Sequence, residues 1–260
     1  MAKEQNQTLG LGELHFAPFK PGTTTPTGYR YFGDSSAVNL NVSSETSDYY
    51  SSERGTRVKT RSVTLQTEFQ GSFGLTNIDL PNVAMFFLGE AGTVTQVANE
   101  SVDETLTDVT PGRSYQLGES DATPIGARQV TINTIAIGAT PLVAGTDYEI
   151  DEPRGIVTFL DGAPNVTDGS DVVLNYALAE VSYDRMISGS AQIEGALRFD
   201  AYNAAGENID YRMAWVKISP NGDLPLKGEE WMNMSFNIEI NKLGAREAIY
   251  ANGQPYAPAA

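Results

Sequence analysis

VNLNVSSETSDYYSSERGTRVKTRSVTLQTEFQGSFGL, residues Val38 to Leu75, reads as two alternating strands joined by a long charged segment. In the first arm Val38, Leu40 and Val42 fall on one face, and in the second Val63, Leu65, Phe69, Phe73 and Leu75 keep one parity across Gly71. One face of the resulting sheet is therefore expected to be apolar. The intervening Ser44 to Ser62 exceeds by far the roughly two to five residues of an ordinary hairpin loop. It is also too polar to be buried, so it reads as a long inter-strand loop, either a working part or a mobile solvated excursion. It carries Arg54, Arg57, Lys59 and Arg61, four of the 17 basic residues in a chain of formal net charge -16. The loop is a cationic arm on an anionic body. Gly55 within it permits a bend that other residues tolerate poorly.

Outward from this unit the chain is mostly strands and turns. Glu13 to Phe19 is a short strand candidate, and PGTTTPTG after it marks an irregular connection. From Ile78 to Gly89 a short helix is expected: Asp79 is placed to cap it, Pro81 suits its first turn and Gly89 can close it. Val83, Ala84, Phe86, Phe87 and Leu88 would pack this helix on a sheet. Strands and turns resume from Thr93 to Gly118. From Glu119 to Glu180 basic residues nearly vanish, leaving Arg128 and Arg154, while VTINTIAI, DYEIDEPRGIVTFL and DVVLNYALAE read as short strands. That interval is taken as a β-rich inserted subdomain, 119–180, within a discontinuous main domain formed by 1–118 and 181–260. Gln192 to Tyr202 and Tyr211 to Ser219 add two strands. In Trp231 to Leu243 the residues Met232, Met234, Phe236, Ile238 and Ile240 alternate with polar ones, the pattern of a half-buried central strand. The tail from Ala251, with Pro255 and Pro258, reads as loose. The fold class is all-β with one short α-helix.

Composition limits the function. With no cysteine, neither disulfides nor thiolate metal sites are open to the chain. No stretch near Met1 has the apolar length of a signal peptide, and Val83 to Leu88 is too short to span a bilayer, so the reading is a soluble, unsecreted protein with no membrane partner. An excess of 33 acidic over 17 basic residues argues against a protein that grips nucleic acid, but not against one that lets it pass. His15 is the one histidine, so any triad or zinc site must be built around it. Asp147, Glu149 and Asp151 share one face of a strand beside Glu152, yet lack a calcium-loop spacing and read as a solvated acidic face. No catalytic, metal or cofactor site is assigned.

DYYSSERGTRVKTRSVTL, followed by GSFGLTNIDLPNVAMFFLGE and later by SPNGDLPLKGEEW, resembles the major tail tube proteins of long-tailed bacteriophages. The three segments stand in that family's order and cover the first third and last quarter of the chain. The resemblance implies a tail-tube-type β-sandwich or barrel whose copies form rings, six per ring given the absence of an internal repeat, stacked into a hollow tube that conducts DNA during ejection. It further implies that the loop bearing Tyr49, Tyr50, Arg54, Gly55, Arg57, Lys59 and Arg61 reaches onto a neighbouring copy. The partners implied are further copies of the chain, a tape measure protein, tail terminator and distal tail proteins, and double-stranded DNA passing without specific binding. The setting implied is the virion tail, assembled in the host cytoplasm. The alternative is a stand-alone β-sandwich that binds a carbohydrate or receptor; against it, Trp215 and Trp231 are the only tryptophans and form no evident aromatic platform.

Overall fold

The alternating run MSFNIEIN forms a strand, Met234–Asn241, with Met234, Phe236, Ile238 and Ile240 buried while Asn237 and Glu239 face solvent. The rest of the larger sheet is built around it. The computed structural model describes residues 7–53 and 55–253, and the chain divides into two compact units, one from 1–91 and 186–260, the other from 92–185.

The first unit opens with β1 (Gly12–Pro18), β2 (Arg30–Tyr31), β3 (Ser35–Ser51), β4 (Val58–Leu75) and the helix α1 (Leu80–Phe86). β5 (Glu90–Gln96) leads into the second unit, which holds β6 (Asn99–Val109), β7 (Ser114–Gln116), β8 (Val130–Ile137), β9 (Thr140–Pro141), β10 (Tyr148–Asp151), β11 (Ile156–Phe159) and β12 (Ser170–Leu178). β13 (Val181–Ile187) leads back and pairs with β5, after which β14 (Ile193–Ala201), β15 (Ile209–Asn221), β16 (Met234–Asn241) and β17 (Tyr250–Gly253) complete the first unit.

Eight strands of the first unit form one sheet in the order β2-β1-β14-β15-β16-β4-β3, with β17 also paired to β15. None of the sheets closes into a barrel. The sheet is one-sided. On its apolar face Phe16, Phe32, Phe73 and Phe236 stack in a row with ring centroids 5.6, 5.5 and 5.0 Å apart, and Phe86 of α1 meets Phe236 edge-on at 5.8 Å. Such offset aromatic rows add about 0.5 to 1.5 kcal/mol per pair beyond their area. At the open end of this face Val38 and Leu40 share a hollow of ≈ 330 Å³ with Phe199, Tyr211 and Met213.

The helix starts as its sequence dictates: Asp79 Oδ1 accepts from the Asn82 backbone N–H at 2.8 Å, and Pro81 occupies the first turn. Asn82, fully buried, donates to the carbonyls of Phe32 (2.8 Å) and Asn77 (3.0 Å) and accepts from Arg30 Nη2 (2.7 Å), which ties the helix to β2. Its end differs from the expectation. Leu88, not Gly89, takes the left-handed conformation at φ 52°, with the Gly89 N–H reaching the Ala84 carbonyl at 2.8 Å. Gly89 is needed for another reason: a Cβ there would sit 1.9 Å from the Ile187 carbonyl oxygen. Met85 is buried with Ala84 and Phe86, whereas Phe87 is exposed.

The second unit spans 92–185, wider than the interval 119–180, because β6 and β7 supply strands to its two sheets, β6-β12-β8-β9 and β10-β11-β7. One core serves both, with Val130, Leu174 and Tyr176 from the first and Val157 and Phe159 from the second. The composition shift at Glu119 marks a loss of basic residues, not the structural boundary. Ala251 to Gly253 are likewise not loose, since β17 pairs with β15 from Ile209 to Arg212; Pro255 and Pro258 lie outside the described residues.

Candidate functional site

Ser44 to Ser62 is not a loop. β3 and β4 pair continuously from Ser35↔Leu75 to Ser51↔Val58, leaving only a short turn at the tip. Serine and threonine supply the backbone pairing without a buried face, so a ladder solvated on both sides carries no apolar alternation to betray it. β16 flanks β4 only from Phe69 to Leu75, so among the described residues β4 from Val58 to Glu68 has β3 as its one neighbour. At ~3.3 Å per residue this two-stranded ribbon projects roughly 30 Å beyond the sheet.

Two register shifts re-aim its side chains. Val38↔Phe73 and Val42↔Phe69 share the apolar face, followed by Ser44↔Thr67; after the shift between Glu45 and Thr46 the same face carries Thr46↔Thr64 and Asp48↔Ser62. Val63 pairs with Ser47 on the opposite face, so it leaves the face of Phe69 and Phe73 despite their shared parity, and Leu65 is the extra, unpaired residue at the shift. Val42, Tyr49, Tyr50, Val58, Val63 and Leu65 are all exposed.

The proposed contact residues are thus distributed along a ribbon. Tyr49 and Tyr50 lie on β3, Lys59 and Arg61 on β4, and Gly55 (φ 60°) and Arg57 in the turn; Arg54 lies outside the described residues. Lys59 already has a partner within the chain: its Nζ is 2.7 Å from Asp48 Oδ1, which also accepts from Ser62 Oγ at 2.6 Å. The hydrogen bond from Lys59, and after it the one from Ser62, holds the Asp48 carboxyl below its ordinary range. Among the described residues no carboxylate lies within ion-pair distance of Arg57 or Arg61.

The polar face of the sheet is a second feature. Asn41, Gln70, Glu239, Lys217 and Glu194 stand in one cross-strand row over five strands. Beside it Glu68, Gln70, Ser219, Asn237, Glu239 and Asn241 line an open groove of ≈ 640 Å³ that has no basic residue in its wall. Glu68 is fixed there by amide donors from Gln66 and from Gln70 (3.0 Å).

The remaining chemical candidates resolve into structural contacts. His15 on β1 has Nε2 3.3 Å from Glu13 Oε2 and 3.5 Å from Asp200 Oδ2, with the Tyr31 ring beside it at 5.3 Å. The acidic trio does not form one solvated face. Asp147 is buried; that burial pushes its carboxyl up, but hydrogen bonds from the Val143 N–H (2.9 Å) and from the Asn165 side chain and backbone outweigh it and hold the group low. Glu149 is exposed, and Asp151 pairs with Arg154 at 2.9 Å. Among the described residues no group of three or more histidine or acidic side chains is arranged to hold a metal ion, and no helix is long and apolar enough to cross a membrane.

Fold and surface together define a two-unit antiparallel β protein whose larger sheet is apolar on one face, polar on the other, and extended at one end by a projecting hairpin. The chain belongs to the family described as "Protein of unknown function UCP028589", whose model matches residues 7–248. The comparison with curated proteins finds no match.

Proposed function

We propose that this chain is the repeating subunit of a self-assembling hollow tube, of the kind that forms the tail tube of long-tailed bacteriophages and conducts DNA into the host cell. The observation that carries this reading is the ribbon. A two-stranded hairpin is marginal at best on its own in water, and this one keeps five apolar or aromatic side chains in solvent, Tyr49, Tyr50, Val58, Val63 and Leu65. A surface of another chain would bury those side chains and stabilise the extension.

The polar sheet face supports the conduit role. A tail-tube-type wall built from such open sheets, with the acidic groove turned to the channel, repels phosphate and lets a duplex slide, where a basic wall would hold it. The net charge of -16 agrees in sign. On this reading the copies form rings of six, the tube ends meet terminator and distal tail proteins, a tape measure protein occupies the lumen before DNA does, and the setting is the virion tail assembled in the host cytoplasm. Negative-stain microscopy of the purified chain over rising concentration tests it. Tubes or rings with six-fold cross-sections and a lumen poorer in Lys and Arg than in Asp and Glu are expected; a monomer at every concentration and salt would sink the reading.

A further inference from the structure

Two of the most exposed large hydrophobic side chains in the described structure sit far from the ribbon. Trp231 is 97% and Leu226 82% exposed, both in the irregular segment 222–233 between β15 and β16. The segment is anchored, because Leu224 packs against the core of the first unit and Gly222 turns the chain at φ 75°. Leu226 and Trp231 are thus held out in water by a loop whose root is fixed. A lone indole in solvent serves no packing purpose, and tryptophan is the side chain most enriched among residues that dominate association.

Charge says what would cover it. Between Gly222 and Asn233 the chain carries Asp223, Glu229 and Glu230 against Lys227, whereas the sequence from Asp48 to Ser62 carries Arg54, Arg57, Lys59 and Arg61 against Asp48 and Glu53, with Lys59 already paired to Asp48, beside Tyr49 and Tyr50. One surface is acidic with an apolar anchor; the other is basic with aromatic neighbours. Register places them at opposite ends of the same strand. Met234, where the loop re-enters the sheet, pairs with Leu75, while the tip lies at Val58. Seventeen or so residues of extended chain separate these ends by roughly 50 Å, so one copy cannot bring its own tip to its own loop.

We propose that the loop 222–233 is the docking site for the β3–β4 ribbon tip of a second copy of this chain, in a head-to-tail contact with Trp231 and Leu226 covered by Tyr49, Tyr50 and the stems of Arg57 and Arg61. The inference rests on the self-assembly reading and names the surface that receives the arm. Such a contact is heterologous: each copy uses its loop toward one neighbour and its tip toward another, so it propagates as a ring or a filament. Complementary charge would set the order of encounter and reject tip-to-tip pairing.

The cysteine-free sequence allows a clean test. Thr56→Cys and Lys227→Cys are made separately in the full chain, both at exposed turn or loop positions, and each is treated with a bismaleimide alone and in a mixture. The mixture is expected to yield a covalent dimer absent from either variant alone. In parallel, Trp231→Ala is expected to raise the critical concentration for assembly at least about tenfold, with unchanged circular dichroism. Charge reversal supplies the folding control: Arg57→Glu with Arg61→Glu should block assembly, and mixing that variant with Glu229→Lys, Glu230→Lys should restore alternating contacts. If tubes form with no mixed dimer and Trp231→Ala assembles normally, the docking site is wrong and the tube reading stands. If the unaltered chain never assembles, both fall.

Discussion

Near Phe73 the β3–β4 hairpin is part of a wall; near Ser47 it is a bare ribbon. In the first half β4 has β16 on its other side, and Phe73 and Leu75 contribute to the buried core. In the second half the same two strands have no third neighbour among the described residues, and Tyr49, Val63 and Leu65 are open to solvent. The backbone pairing is continuous through both. What differs is burial, and burial is what stabilises a sheet, since backbone hydrogen bonds largely exchange for bonds to water. The base therefore owes its persistence to the fold, and the distal half depends on whatever it touches.

The sharpest way to break this comparison is to remove the distal half. Deleting residues 44–67 and joining Ser43 to Glu68 through Asn-Gly closes the hairpin at a directly opposed pair with a two-residue turn. The shortened chain is expected to fold with a melting temperature within a few degrees of the intact one and to form no tubes at any concentration. Tubes from the shortened chain would remove the arm from the assembly altogether.

A pair of substitutions then grades the two halves by stability. Phe73→Ala takes a fully buried ring out of the stacked row and should cost about 3 to 5 kcal/mol in urea unfolding of the monomer. Leu65→Ala, on the ribbon, should change it by no more than about 0.5 kcal/mol. Equal losses would show that the ribbon is a full member of the cooperative fold.

The two halves also differ in how legible they are. Met234 to Ile240 could be assigned from alternation because one face of β16 is buried and the other wet, and α1 could be placed from Asp79 and Pro81 because capping is local chemistry. The ribbon defeats that method. Alternation reports a buried face, and Ser44 to Ser62 has none, so its polarity suggested a loop. The bulge at Leu65 then moves Val63 off the face its parity implies. Non-local partners were equally silent. Nothing beside Asp147 announces that Asn165, eighteen positions on, will donate to it and draw it inside, and nothing in Leu88 announces a left-handed residue next to an available glycine. Of the contact residues, the charges of Arg57, Lys59 and Arg61 were readable, but the pairing of Lys59 with Asp48 required the register.

Asp48 offers the finest test. Its carboxyl is held below the ordinary carboxylate range by Lys59 and Ser62, so the stabilisation it gives the tip is complete above about pH 4 and is lost as pH falls through its lowered value. The group is exposed, so the effect is local. Amide exchange of the tip residues Thr60 to Ser62, corrected for intrinsic rates, should accelerate as pH falls below about 4, while Phe69 to Leu75 keep their protection because they are paired on both sides, to β3 and to β16. Asp48→Asn should flatten the response at the tip, because the replacement has no proton to gain, and leave the base untouched. If the base instead opened in step with the tip, the hairpin would be a single cooperative element and the ribbon would not be the independently poised arm that assembly through it requires.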